Sequence, residues 1–271
     1  MRPDWLVPQW PAPARVHAVC TTRAGGRSMP PYDSLNLGDH VGDDPLVVDA
    51  NRAVLHQVIG AQPVFLSQVH GAHVEWLCGN SARGTQADAC ITDQPGIACT
   101  IMVADCLPVL FTNLQGSLVA AAHAGWRGLA GQGGAGILEA VYERFGALAL
   151  ENTSQEATKI IAWLGPCIGP EAFEVGNEVR DAFVAHDRAA LAMFTPASSG
   201  TTGGTTAGNP GGKWLADLPG LARLRLAALG VTQIYGNDSS QAWCTFSNPS
   251  RFFSYRRDRV SGRMAACIWL D

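Results

Sequence analysis

The sequence predicts a mixed α/β fold, on three observations. Short β-rich segments crowd residues 62–122, segments with helical periodicity lie before and after them, and strand-like runs close the chain. With 47% hydrophobic residues over 271 positions, the chain can bury a substantial core, and one large domain spanning residues 1–271 is expected.

Taken in order, HAVCTTRAGG predicts a strand feeding the turn-rich loop PPYDSLNLGDHVGDDP, and VVDANRAVLHQVIG then reads as a helix. PVFLSQV, HVEWLC, DACITD, IACTIMVAD, PVLFTN and SLVAAAH follow as strands of a central sheet, each a short apolar or alternating run bounded by turn residues. LAGQGGAGILEAVYERFG reads as a helix starting from a glycine-rich turn, and TKIIAWLG as another strand. Residues 171–194 and 214–229 carry helical periodicity, while VTQIYG, RFFSYRR and RMAACIWL read as strands. Residues 195–213 are nearly all Thr, Ser, Gly, Ala and Pro, with little to bury, which predicts a flexible surface loop rather than a domain linker.

A net charge of −4, from 19 basic and 23 acidic residues, gives no field for a polyanionic duplex or an anionic membrane, so a small-molecule substrate is expected. The N-terminal stretch is broken by prolines, and the longest apolar run carries Asp105 and Cys106 and is too short to span a bilayer. A cytoplasmic monomer with reduced cysteines is the expectation, with Cys20, Cys90, Cys99 and Cys267 as core residues.

Three polar residues stand where strand-like runs give way to bends: His70 in QVHG, Cys106 in ADCLPV and His123 in AAHAGWRG. Two imidazoles and a thiolate suit zinc or copper, and three protein ligands leave a fourth position open for water or substrate. The residues are far apart in the chain, so only the fold can assemble them. Pro108 is expected to end ladder pairing and expose the Cys106 sulfur at a strand end. Cys167, in GPCIGP, is a second candidate for presentation into a cleft, with a purely structural turn as the alternative. Arg127 adds positive charge beside the amides that open the next helix, suiting phosphate; a surface ion pair is the alternative. Asn36 and Arg52 suit a ligand hydroxyl or phosphate, though capping and surface pairing explain them as simply, and Gln68 beside His70 joins them as a substrate-binding candidate. RFFSYRRD reads as a rim beside the pocket rather than a nucleic-acid surface.

The blocks TTRAGGRS, SLNLGDHVGDD, SQVHG, ADACIT, ADCLPV, AAHAGWRG, GPCIG, GKWLADL, FFSYRRD and SGRM, in this order, resemble the YfiH/DUF152 family, also described as polyphenol oxidase or laccase-like. The resemblance runs from about residue 16 to the C-terminus. It implies a layered α/β/β/α domain of mixed sheets, and a zinc site, with copper as the alternative, made by His70, Cys106 and His123. It implies phosphorolysis of purine nucleosides by phosphate, with adenosine deamination and methylthioadenosine phosphorolysis beside it. Arg52, Arg127 and the amides after His123 are then candidates to hold phosphate, and Asp105 or Cys167 to carry protons in deamination. Two departures, the Thr/Gly-rich insertion and SGRM in place of TGRM, touch no metal-ligand candidate.

Three other readings stay open at this point. A metal-free cysteine hydrolase or deamidase would use Cys106 as nucleophile and His123 as base. A structural metal module would close its coordination with a fourth protein ligand. A laccase-like copper oxidase would need several copper centres where this sequence offers one three-residue set.

Overall fold

The computed structural model describes residues 2, 4–82, 84–149, 159–197 and 212–271. Its strands are β1 (Val16–Cys20), β2 (Gln62–Phe65), β3 (Val74–Trp76), β4 (Ala89–Thr92), β5 (Ile97–Val103), β6 (Leu107–Asn113), β7 (Val119–Ala124), β8 (Ile160–Leu164), β9 (Glu174–Val175), β10 (Phe194–Pro196), β11 (Trp214–Ala216), β12 (Gln233–Gly236) and β13 (Met264–Leu270). Its α-helices are α1 (Pro45–Ile59), α2 (Trp126–Ala130), α3 (Ile137–Ala149), α4 (Asn177–Val184), α5 (Leu218–Ala228) and α6 (Tyr255–Asp258).

Two mixed sheets carry the architecture. One has the order β1-β13-β5-β2 and the other β12-β8-β6-β7-β4-β3, with β10-β11-β9 as a small third sheet. Side chains alternate across each strand, and this sorts them into layers. In β13, Met264, Ala266, Ile268 and Leu270 join a core shared with Leu110, Val119, Ala121 and Trp163 of the second sheet. Ala265, Cys267 and Trp269 of the same strand face the other way, with Leu55 and Ile59 of α1. On the far side, Val109, Phe111, Ala120 and Ala122 pack with Leu138, Val141 and Phe145 of α3 and Leu221 and Leu226 of α5. The result is helix, sheet, sheet, helix. Strands covered on both faces read as unbroken apolar runs, which is why β5, β6 and β7 are buried along their whole length.

Helix α1 starts where Asp44 caps it, accepting the Leu46 N–H at 2.9 Å, with Pro45 at the first helical position where no N–H is needed. Cys20, Cys90, Cys99 and Cys267 are fully buried, and all eight cysteines are free.

Several expectations are corrected. The strand run of residues 62–122 is not one sheet: β2 and β5 lie in the four-stranded sheet, while β3, β4, β6 and β7 lie in the six-stranded one. Pro108 does not end pairing but lies inside β6, opposite His123. Its carbonyl accepts the Gly165 N–H at 2.9 Å, and the Gly165 carbonyl is satisfied by Asn237 Nδ2 at 3.0 Å in place of the N–H that proline lacks. Residues 171–194 are broken into β9, α4 and a 3-10 turn, Arg188–Met193, and 214–216 form β11 ahead of α5. RFFSYRR is not a strand: Ser254 caps the short helix α6 by accepting the Arg257 N–H at 3.2 Å. The loop expected at 195–213 is narrower at its N-terminal end, because Thr195 and Pro196 pair with Leu215 and Trp214. Residues 198–211 of that loop lie outside the described residues.

Candidate metal centre

Each side chain of the site is delivered by a different piece of backbone. Cys106 sits on the short connection by which the chain leaves β5 in one sheet and enters β6 in the other. Asp105, at φ 92°, shapes that turn: its carboxylate accepts Thr245 Oγ1 and the Arg256 N–H, each at 2.6 Å, and its carbonyl accepts the Ile168 N–H at 2.9 Å. His123 lies near the end of β7, beside the start of β6. His70 follows β2 in a turn where its own φ is 62°, in the left-handed region.

A residue not singled out from the sequence holds two of these three in place. Asp88, fully buried just ahead of β4, accepts the backbone N–H groups of Val69, His70 and Gly71 at 3.1, 2.9 and 2.7 Å. The same carboxylate accepts Nδ1 of His123 at 2.8 Å. A carboxylate only accepts, so Nδ1 of His123 carries a proton, and it is Nε2 that gives up its own proton to present a lone pair when an ion is bound. The sequence signal was an acid opening an apolar strand in ADACIT, which is weak without knowing what packs against it.

The donor atoms of His70, Cys106 and His123 lie within 4.8 Å of one another, and among the described residues this is the one such cluster. Cys106 Sγ and His70 Nε2 are 3.7 Å apart, and the two imidazole rings meet edge to face at 4.7 Å between centroids. Tetrahedral zinc with ordinary Zn–S and Zn–N bonds would set those two donors roughly 3.6 Å apart. The donor set and spacing therefore fit a zinc or copper ion. Gly125 completes the cradle: a Cβ there would stand 2.7 Å from His70 Cδ2 and 3.0 Å from Cys106 Sγ.

The protonation states in the metal-free protein follow from the same contacts. Burial pushes the Cys106 thiol up, but the His123 charge and hydrogen bonds from His123 and His70 outweigh it and bring the thiol down to about 6. Burial alone would lower His123, yet the Cys106 charge and the Asp88 hydrogen bond raise it to about 9. Asp88 is likewise held below the usual carboxylate range despite burial, chiefly by its bond to His123 and then by the Gly71 N–H. The resting pair is thiolate and imidazolium.

A cleft of about 390 Å³ opens over the cluster, lined by His40, Gln68, His70, Met102, Val103, Ala104, Cys106, His123, Tyr255 and Arg263. Of the sequence candidates outside the cluster, Gln68 alone lines it, and its amide also bridges the backbone of Met102, donating to O and accepting from N at 2.8 Å each. Asn36 is fully buried, its Oδ1 accepting the N–H groups of Gly38 and Arg263 at 2.9 Å, so it braces the wall instead of facing a ligand. Arg52 pairs with Asp39 at 3.1 Å, covers the Phe65 ring at 4.0 Å, and lines neighbouring cavities. Arg127 is exposed over the Trp126 ring at 4.4 Å, outside the cleft lining. Cys167 is fully buried rather than presented into a cleft, and burial pushes its thiol well up, which keeps it protonated. The carboxylate of Asp105 is occupied on both oxygens. Tyr255 falls in RFFSYRRD, the segment expected to rim the pocket, whereas His40 and Arg263 enter the site unannounced, because nothing local ties SLNLGDH and SGRM to it.

The family model described as multi-copper polyphenol oxidoreductase laccase matches residues 17–271. A Pseudomonas aeruginosa protein named as a purine nucleoside phosphorylase is 49% identical over 267 residues, 98% of each chain. YfiH of Escherichia coli K12, named likewise, is 49% identical with the same coverage. The crystal structure of a Neisseria meningitidis DUF152 protein matches with a TM-score of 0.82 at 42% identity, over 99% of each chain. No helix of the described residues is long and apolar enough to cross a membrane. Matched along nearly its whole length by both the family model and these relatives, the chain belongs to the multi-copper polyphenol oxidoreductase laccase family, the YfiH/DUF152 family.

Proposed function

We propose that this chain is a metal-dependent purine nucleoside phosphorylase, acting as a cytoplasmic monomer of one domain with zinc, or copper in its place, as the ion. The observation that carries the reading is the His70, Cys106 and His123 set at the floor of one small-molecule cleft, in a chain alike end to end to relatives named for this activity. The volume of about 390 Å³ lies in the range of ordinary ligand pockets. In phosphorolysis a phosphate oxygen bonds to C1′ of the ribose as the C1′–N9 bond breaks. The bonding pair leaves with the purine, which takes up a proton. When bound, the ion supplies a Lewis-acidic centre with an open face. Met102, Val103 and Ala104 offer the purine an apolar wall, and the half-exposed Tyr255 ring at the mouth offers a stacking surface. Asp88 fixes the His123 ring at the floor and holds the backbone of the turn that carries His70. Adenosine deamination and methylthioadenosine phosphorolysis belong to the same proposal, on the family resemblance.

The test incubates purified protein with inosine, adenosine and methylthioadenosine, with and without phosphate, following free base and ammonia. Phosphate-dependent base release that His123→Ala lacks is expected; equal rates in the two proteins would reject the reading.

A second reading has a specific observation behind it. Cys106, His123 and Asp88 form a nucleophile, base and orienting carboxylate in the manner of a cysteine hydrolase, with the thiol brought down to about 6. Metal analysis separates the two: an ion bound stoichiometrically through Cys106 leaves no free nucleophile. The single three-residue cluster among the described residues does not favour a copper oxidase, which needs several centres.

A further inference from the structure

The sequence pointed to Arg52 and Arg127 as phosphate holders, and the structure engages both elsewhere, so the question is which cation in the cleft is free to hold an anion. Arg263 lines the cleft, and among the described residues no carboxylate lies within ion-pair distance of its guanidinium. Its Nη1 donates to the carbonyls of Ser261 and Gly262 at 2.8 and 3.1 Å, while Nε and Nη2 have no bond among the described residues. The adjoining cavity of about 510 Å³ lacks this feature, since its arginine, Arg52, is already neutralised by Asp39.

The fold fixes where this charge stands. The Arg263 N–H is held by buried Asn36 at 2.9 Å, and a Cβ at Gly38 would stand 2.7 Å from Arg263 Cγ, so the glycine makes room for the arginine stem. The Tyr255 ring lies 5.8 Å from the guanidinium carbon. Arg263 lines the same cleft as His70, Cys106 and His123, so its charge faces the space over the floor. Its neighbour His40 is kept below the usual histidine range by burial and then by the Arg263 charge, and is therefore neutral near pH 7. With His40 Nδ1 turned toward Asp39 at 3.5 Å, Nε2 is offered to the hydroxyl of hydrogen phosphate.

We propose that Arg263, with His40 beside it, is the phosphate-binding end of the cleft, opposite the His70, Cys106 and His123 cluster. The inference rests on the phosphorylase reading. Arg263 holds two phosphate oxygens through Nε and Nη2, His40 accepts the P–OH, and the remaining oxygen faces the ribose carbon from which the purine departs.

The experiment measures phosphate-dependent base release for wild type, R263Q, R263K and H40N, with folding checked by circular dichroism, and titrates inorganic phosphate calorimetrically into the metal-free proteins. R263Q is expected to raise the KM for phosphate about tenfold or more while the nucleoside KM stays within about twofold, because a charge-assisted pair is lost on one substrate only. R263K, which keeps the charge and loses the fork, falls between R263Q and wild type, and remains informative if R263Q does not fold. Phosphate affinity unchanged in a folded, active R263 variant would overturn the inference. A wild type without phosphate-dependent turnover would instead overturn the phosphorylase reading; the calorimetric titration then decides alone, loss of phosphate binding in R263Q supporting the anion site and equal binding rejecting it.

Discussion

At the scale of single residues, the chemistry of the cleft depends on charges that stabilise each other. Cys106 and His123 hold a proton-transferred pair, and Asp88 anchors the imidazolium. Because the Cys106 value is depressed, its thiolate persists as pH falls and is lost only near 6, where an ordinary thiol of about 8.5 would already be protonated. Iodoacetamide labelling of the metal-stripped protein should therefore show a Cys106 rate profile with its midpoint near 6, and zinc should block it; a midpoint at the ordinary thiol value would show that the imidazolium partner is missing. Asp88→Asn tests the carboxylate that serves both histidines. Asparagine has one acceptor oxygen where four N–H groups converge, so zinc affinity measured by chelator competition should fall by about 10- to 100-fold. Substituting cobalt gives the independent signature, an altered thiolate-to-cobalt absorption band in the variant.

At the scale of elements, the site is made where strands end. The connection from β5 to β6 carries Cys106 from one sheet to the other, β7 delivers His123 beside it, and the turn after β2 brings His70 across. Gly125, between β7 and α2, is the point of closest approach, and any side chain there displaces His70 or Cys106. Gly125→Ala should accordingly abolish tight zinc binding while leaving far-ultraviolet circular dichroism close to wild type, since the clash is with ligand side chains at the edge of the sheets. Retained zinc affinity would show that the cradle can yield.

At the scale of the whole molecule, three apolar clusters hold the layers together, and none of them needs an ion. The candidate ligands come from two connections and the end of β7, unlike the closed sites of small zinc modules that unfold without metal. Chelation should remove base release and lower the melting temperature only by the linkage expected of a bound ligand, with recovery on adding zinc back. Unfolding on chelation would favour a structural metal module instead. Alternation and apolar runs anticipated the mixed α/β class, the family resemblance implied the layering, and His70, Cys106 and His123 were singled out because their residue types and turn-rich contexts are local features. The sequence divided the strands wrongly between sheets, since β5 and β6 are adjacent in the chain and look alike as apolar runs. It offered Arg52 and Arg127 as phosphate holders and did not single out Arg263, because an arginine's partners cannot be read from its neighbours in sequence.

What the sequence determined by itself was the mixed α/β class with its longer strands and helices, the family, and His70, Cys106 and His123 as candidate ligands, while the short strands β9, β10 and β11 and the helix α6 in FFSYRRD escaped it. Tertiary structure alone decided which sheet each strand joined, that Asp88 holds the His123 ring and the His70 turn, that Cys167 is sealed in the core, and that Arg263 lines the cleft with no carboxylate among the described residues at ion-pair distance. Periodicity and turn chemistry act between residues close in the chain. Burial, charge pairing and cavities arise between residues that only folding brings together.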